Sequence, residues 1–175
     1  MFSEVPSECG DNFGMRKVRI IFYKAQFQSW TDLVISGWTW LFNPFTGTYS
    51  HCEIGFQIQD DGAWRYFSSS IRDNGTRWKW GNEIFKNPER WDIYEGEYRK
   101  EVVMRMIERA NSLQGKKYDV LGIFSFVTFT GQIFNKKDYF YCSEAVFLVL
   151  TGIWKKRISP RRLSKKISKV FKKVS

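Results

Sequence analysis

Apolar and polar positions along the chain change period from block to block, and each period predicts an element. Lys17-Val-Arg-Ile-Ile-Phe-Tyr23 reads as a strand over about 17–23. Tyr49-Ser-His51-Cys-Glu53-Ile-Gly-Phe-Gln-Ile58 alternates as a second strand ending at an Asp60-Asp61-Gly62 turn, and a third strand runs from Ala63 to about Ser69. Ser68 to Lys79 reads as a loop leading into another strand, with Arg72-Asp73-Asn74-Gly75 as a solvent-facing turn or, alternatively, one that borders a cleft. A strand near Trp91–Tyr94 precedes a helix over about 100–113, where Val103, Ile107 and Ala110 recur at helical spacing. Thr31 to Phe42 predicts an apolar helix stopped near Asn43-Pro44. Ala145-Val-Phe-Leu-Val-Leu150 predicts a buried helix.

Position along these elements selects the candidate chemistry. Cys142 falls at the first turn of the predicted buried helix, where unpaired backbone N–H groups and the positive dipole end lower a thiol pKa. Free cysteines are also among the most buried and inert residues, so position alone leaves a structural reading open. His51 is the only histidine in the chain and therefore the only neutral-pH base of its type for that thiol. Residues two apart on a strand share a face, so His51 and Glu53 project together while Cys52 points the other way. A carboxylate beside an imidazole orients it and stabilises its protonated form. Glu144 sits where a helix cap belongs.

These segments together resemble the permuted NlpC-like branch of the papain-like cysteine peptidases, relatives of the lecithin retinol acyltransferase-like proteins. Tyr49-Ser50-His51 is similar to the family's histidine strand, Gly115-Lys-Lys-Tyr118-Asp119 to its Gly-x-x-Tyr-Asp segment, and Tyr141-Cys142-Ser143-Glu144 to its nucleophile motif. Ile158-Ser159-Pro160 with Leu163 resembles the closing segment. The resemblance covers about residues 16–165 and implies an α+β, papain-like, circularly permuted fold, with a central antiparallel sheet packed against helices. It implies Cys142 as nucleophile and His51 as general base. Glu53 is the expected third member, with a hydroxyl of Ser68 or Ser69 as the alternative, because the strand after the histidine strand holds no carboxylate or amide. Tyr118 and Tyr141 are expected to wall a substrate pocket, and Asp119 is expected to cap a helix. The implied reaction is hydrolysis of an amide, peptide or isopeptide bond, with a thiol esterase, thioesterase or acyltransferase acting on a lipid-like acyl substrate as the alternative. A non-catalytic module that binds membrane or nucleic acid is the reading of another class.

Composition narrows the rest. The chain has 175 residues and a high aromatic content, enough for one compact domain. The expected organisation is an extension over 1–15, the hydrolase domain over 16–162 and a basic amphipathic tail over 163–175. Cys9, Cys52 and Cys142 form an odd set without paired spacing, so a reducing compartment is the default. CxxC, HExxH, Walker and GxGxxG patterns are lacking, and no cofactor or metal is expected. The N-terminus has no basic run followed by an apolar one, so the expected location is cytoplasmic. The uncharged runs Leu33–Ser50 and Val120–Asn135 fall short of the roughly 20 apolar residues of a span. A peripheral contact through Trp38, Trp40, Leu41 and Phe42 is the membrane alternative.

Charge is unevenly placed. All 18 acidic residues precede Trp154, whereas ten of the 28 Lys and Arg residues follow it and account for the net charge of +10. Leu163, Ile167, Val170, Phe171 and Val174 recur at helical spacing among these cations. Such a tail either docks its apolar stripe on the body or uses Lys165, Lys166, Lys169, Lys172 and Lys173 to bind an anionic membrane or nucleic acid.

Overall fold

The computed structural model describes residues 14–24, 49–57, 62–118, 139–155 and 158–175. Strands β1 (Met15–Lys24), β2 (Tyr49–Gln57), β3 (Trp64–Ser70), β4 (Gly75–Trp80) and β5 (Trp91–Arg99) carry the sheet. They are joined by the short helix α1 (Gly81–Ile84), the helix α2 (Lys100–Leu113) and the helix α3 (Cys142–Thr151). A two-stranded parallel pair, β6 (Lys117–Tyr118) and β7 (Tyr139–Phe140), stands before α3, and helix α4 (Pro160–Ile167) leads to β8 (Lys172–Lys173). The main sheet is antiparallel throughout, in the order β4-β3-β2-β1-β5-β8. The fold is therefore α+β with an open, mainly antiparallel sheet.

One sheet face carries the main core. Val18, Ile20 and Phe22 of β1 alternate inward with Cys52, Ile54 and Phe56 of β2, and pack under Val103, Met106 and Ala110 of α2 and Ala145, Val146 and Val149 of α3. A smaller cluster joins Ile21 of β1, Tyr66 of β3 and Trp91 of β5. In α2 the buried stripe is Val103, Met106, Ala110 and Leu113, and Ile107 is only half-buried at its margin. The strands depart from the sequence pattern in two main ways. β5 extends through Arg99 rather than ending near Tyr94, and of the Ser68–Lys79 stretch expected as a loop, Ser68–Ser70 complete β3, as the expected strand end near Ser69 allows, while Gly75–Lys79 already belong to β4. The β3–β4 turn needs Asn74 at φ 56 and Gly75 at φ 140, and a Cβ at Gly75 would lie 2.1 Å from the Lys116 carbonyl oxygen.

The C-terminal segment belongs to this body, and the expected boundary at Leu163 falls inside α4. Pro160 occupies the first helical position, and Ser159 Oγ caps the helix by accepting from the Arg162 N–H at 3.3 Å. Leu163, Ile167 and Phe171 are buried, so the apolar stripe is docked. The helix stops at Ile167, and Phe171 lies over Gly96, where a Cβ would come within 2.9 Å of the ring. β8 then pairs with β5. Val170 and Val174, which helical spacing assigns to the same stripe, are 73% and 49% exposed. The predicted helix over Thr31–Phe42, the residues Trp38, Trp40, Leu41 and Phe42, the Val120–Asn135 run, Cys9 and Asp119 lie outside the described residues. Among the described residues no helix is long and apolar enough to cross a membrane.

Candidate active site

A split in the sheet shapes the site. β2 pairs with β3 only from Ile54 to Gln57, against Phe67 to Trp64, so Tyr49–Glu53 lack a β3 neighbour. Beyond Phe67, β3 follows β4 alone. The backbone groups that the ladder no longer satisfies must find other partners. The Cys52 carbonyl accepts from Ser68 Oγ at 2.7 Å, and Ser69 Oγ donates at 2.7 Å to the carbonyl of Phe140, just before α3. Helix α3 packs across β2 and β3 with its first residue, Cys142, against this split. The Cys52 backbone N–H is hydrogen-bonded to the Cys142 sulfur.

Local sequence fixes the start of α3. Tyr141 is the N-cap residue in an extended conformation, and its N–H donates to Glu144 Oε2 at 3.4 Å, the cap expected of Glu144. The first intrahelical bond runs from Ala145 N to Tyr141 O at 3.0 Å. The N–H groups of Cys142 and Ser143 precede that first intrahelical bond and lie in the first turn, beside the sulfur. Ser143 Oγ donates to the carbonyl of Ile158 and fastens the later chain to this turn. Gly152, left-handed at φ 74, closes the helix through its N–H to the Leu148 carbonyl at 2.8 Å.

Glu53 lies under the imidazole. His51 Nε2 is 3.1 Å from Glu53 Oε1, as the two-residue spacing on one strand face requires. That contact leaves Nδ1 for Cys142, whose side chain is also hydrogen-bonded to His51. Trp91 stands edge-on to the imidazole, with centroids 6.4 Å apart. The His51 side chain keeps 23% exposure, whereas Glu53 keeps 2%. Arg77, opposite Ser68 on β4, reaches across the sheet face. Its Nη1 donates to Glu53 Oε2 at 3.1 Å and its Nη2 to Glu53 Oε1 at 2.9 Å. Asp73 holds the same guanidinium through Nε at 2.7 Å and takes Lys79 Nζ at 2.6 Å. The Arg72–Gly75 turn thus sends Asp73 into the charged row rather than into solvent.

These contacts set the ionisation. Burial alone raises the Glu53 carboxyl, but the His51 hydrogen bond and the Arg77 charge outweigh it and hold the group below its ordinary value. Burial alone lowers His51, yet the Cys142 thiolate and Glu53 push it up to about 9. The Cys142 thiol is drawn well below its ordinary value, first by the hydrogen bond from the Cys52 thiol and then, against burial, by His51. Cys52 itself is driven up by burial and by its charged neighbours. At neutral pH these shifts favour a thiolate–imidazolium pair over a buried carboxylate.

Of the residues expected at the site, the structure brings Cys142, His51 and Glu53 together. Ser68 and Ser69 lie nearby, but both hydroxyls donate to backbone carbonyls, whereas the Glu53 carboxylate contacts His51. Tyr118 and Tyr141 form an edge-on pair 6.2 Å apart immediately before the thiol. Sequence reasoning missed Arg77, and it preferred the solvent-facing reading of the Asp73 turn over the one that borders the cleft. Among the described residues no three of His, Cys, Asp and Glu are grouped to hold a metal ion. A cavity of about 410 Å³, lined by Arg19, Trp64, Tyr66, Trp80 and Phe85, lies on the β3–β4 side and includes none of the three site residues. Comparison with protein-family models, with characterised proteins and with solved structures gives no match.

Proposed function

We propose that the chain is a thiol hydrolase of the permuted NlpC-like, papain-fold kind, cleaving an amide, peptide or isopeptide bond. The observation that carries this reading is the linked set of Cys142, His51 and Glu53, with the thiol at a helix N-terminus and the carboxylate buried and ionised. The Cys142 thiolate attacks the carbonyl carbon, and the developing oxyanion is met by first-turn N–H groups of α3. As the tetrahedral intermediate collapses, the His51 imidazolium gives its proton to the leaving nitrogen and the C–N bond breaks. Neutral His51 then takes a proton from water, whose oxygen displaces the thiolate and releases the acid. Glu53 accepts from Nε2 throughout and keeps Nδ1 aimed at sulfur. Arg77 keeps Glu53 charged. Tyr118 and Tyr141 wall the acyl side. Because a thioester intermediate also reacts with alcohols and water, ester, thioester and acyl-transfer substrates share the same machinery.

The test is a panel of peptide, isopeptide, peptidoglycan-fragment and acyl-ester substrates, run with wild type, Cys142→Ala and His51→Ala. Turnover on one class should fall by at least about a thousandfold in both variants. In parallel, limiting iodoacetamide near neutral pH should label Cys142 before Cys9 and Cys52, and His51→Ala should slow that labelling. No turnover in the panel, with all three cysteines labelled equally, overturns the hydrolase reading in favour of a binding module.

A further inference from the structure

Among the described residues, several cations of the sheet are matched. Lys17 and Arg19 share Glu95 at 3.0 and 2.8 Å, Lys24 and Lys173 share Asp92 at 3.0 and 2.9 Å, and Arg77 and Lys79 share Asp73. Helix α4 is different. Arg162, Lys165 and Lys166 stand three and four residues apart and make one stripe. Lys169 extends it, because the Phe171 N–H still donates to the Ile167 carbonyl at 2.8 Å and keeps the chain coiled. All four side chains are exposed. No acidic residue follows Glu144, and among the described residues no carboxylate lies within ion-pair distance of these four. Glu95, which lies across the strand pair from Lys172, is already occupied by Lys17 and Arg19.

The helix is also fixed in orientation. Leu163 and Ile167 are buried on one side, which holds the cationic stripe outward as a rigid surface rather than a searching tail. Its apolar face is spent on the core, so insertion of an amphipathic helix into a bilayer is closed to it, and adhesion must come from charge. Val170, at 73% the most exposed of the large hydrophobic side chains described, sits directly beside Lys169, and Val174 follows Lys173. Exposed aliphatic groups interleaved with lysine suit a lipid headgroup layer better than the phosphate rail of a nucleic acid, which offers them no apolar partner.

We infer that the outward stripe of Arg162, Lys165, Lys166 and Lys169, with Val170 beside it, docks the protein on an anionic membrane surface. The docking is electrostatic and reversible. It is independent of the thiol chemistry, and Cys142→Ala should bind as wild type does.

The experiment is co-sedimentation of the full chain with phosphatidylcholine vesicles, with and without 30% phosphatidylserine, across a salt series; a gel shift with a duplex oligonucleotide runs beside it. Two variants are compared, Lys165→Glu/Lys166→Glu/Lys169→Glu and the milder Lys165→Gln/Lys166→Gln/Lys169→Gln, with circular dichroism confirming that each is folded. Binding should require phosphatidylserine and weaken with salt. Each lysine near an anionic surface is worth about 1 kcal/mol, so the neutral triple variant should lose roughly a hundredfold in partition. If the reversal variant misfolds, the neutral one decides. Equal binding to neutral vesicles, an unchanged neutral variant, or tighter binding to the oligonucleotide than to anionic vesicles overturns the inference.

Discussion

Two charged regions of this molecule obey opposite rules. In the row His51–Glu53–Arg77–Asp73 every charge faces another at hydrogen-bond distance, and Glu53 is 2% exposed. Along α4 the cations face water. A buried charge costs several kcal/mol of desolvation unless paired, so the inner row stands or falls as a set. Exposed charges are individually worth a few tenths of a kcal/mol, so the outer stripe is free to be shaped by a partner. The inner row alternates in sign and is buried, whereas the outer stripe is of one sign and exposed.

The strongest way to break this comparison is to attack the apolar underside of the basic segment. Phe171 is 5% exposed, lies over Gly96 and packs at a tilt against Tyr98, with ring centroids 5.8 Å apart. Phe171→Ala should cost about 3 kcal/mol or more in urea unfolding, as for other buried aromatic truncations. A loss below about 1 kcal/mol would return the segment to the status of a detachable tail. Next comes the inner row. Arg77→Met leaves the Glu53 charge buried without its bidentate partner and should cost about 3 kcal/mol. The double variant Arg77→Met/Glu53→Gln should recover part of that loss, because the orphaned charge is gone. Additive losses would show that the two side chains do not act as a pair.

The single histidine makes the third break directly readable by NMR. His51 should hold its proton up to about pH 9, and either Cys142→Ala or Glu53→Gln should bring its midpoint down toward 6.5. For stability the sign needs both partners. Between pH 6.5 and about 9 the unfolded pair holds one proton on sulfur and the folded pair one on nitrogen, so stability from this pair is flat. Below 6.5 the unfolded pair holds two protons against one. There the depressed thiol governs, and stability is lost as pH falls through its folded value. A stability profile that slopes steeply between pH 7 and 8.5 in wild type, and flattens in Cys142→Ala, would contradict the thiolate–imidazolium resting state.

How much of this was legible in the sequence follows from distance along the chain. His51 and Glu53 sit two apart on one strand, and Cys142, Ser143 and Glu144 open one helix, so period and capping rules place them. Arg77 is 24 residues from Glu53, and only the registers of β2 with β3 and β3 with β4 bring them together. Nothing local specifies those registers, and Asp73 in an Asp-Asn-Gly turn has the composition of a solvent loop. The C-terminal stripe was legible as apolar spacing, but the spacing does not say where the helix stops. Phe171 continues toward the core because Gly96 leaves room for its ring, while Val170 and Val174 turn outward as the chain becomes β8. The open edge of β5 that receives β8 is likewise a tertiary fact.

The smallest expected effect sharpens the comparison most. If the stripe on α4 is a solvent-facing surface, reversing Lys165, Lys166 and Lys169 should leave urea stability within ~0.5 kcal/mol of wild type. It should also move the His51 midpoint by only ~0.3 unit at 0.15 M salt, because charges acting through water are weakened by its dielectric constant and screened beyond about 8 Å. The sign is upward, since three added carboxylates favour the imidazolium. Repeating the titration at 0.01 M salt, where screening reaches about 30 Å, should enlarge the shift and so identify it as long-range. Glu53→Gln must behave the other way, with a large downward shift that salt hardly alters, because that contact is direct and shielded from solvent. A salt-independent shift in the lysine reversal would mean that α4 couples to the site through packing, by way of the Ser143–Ile158 fastening, and the two regions would no longer be separable.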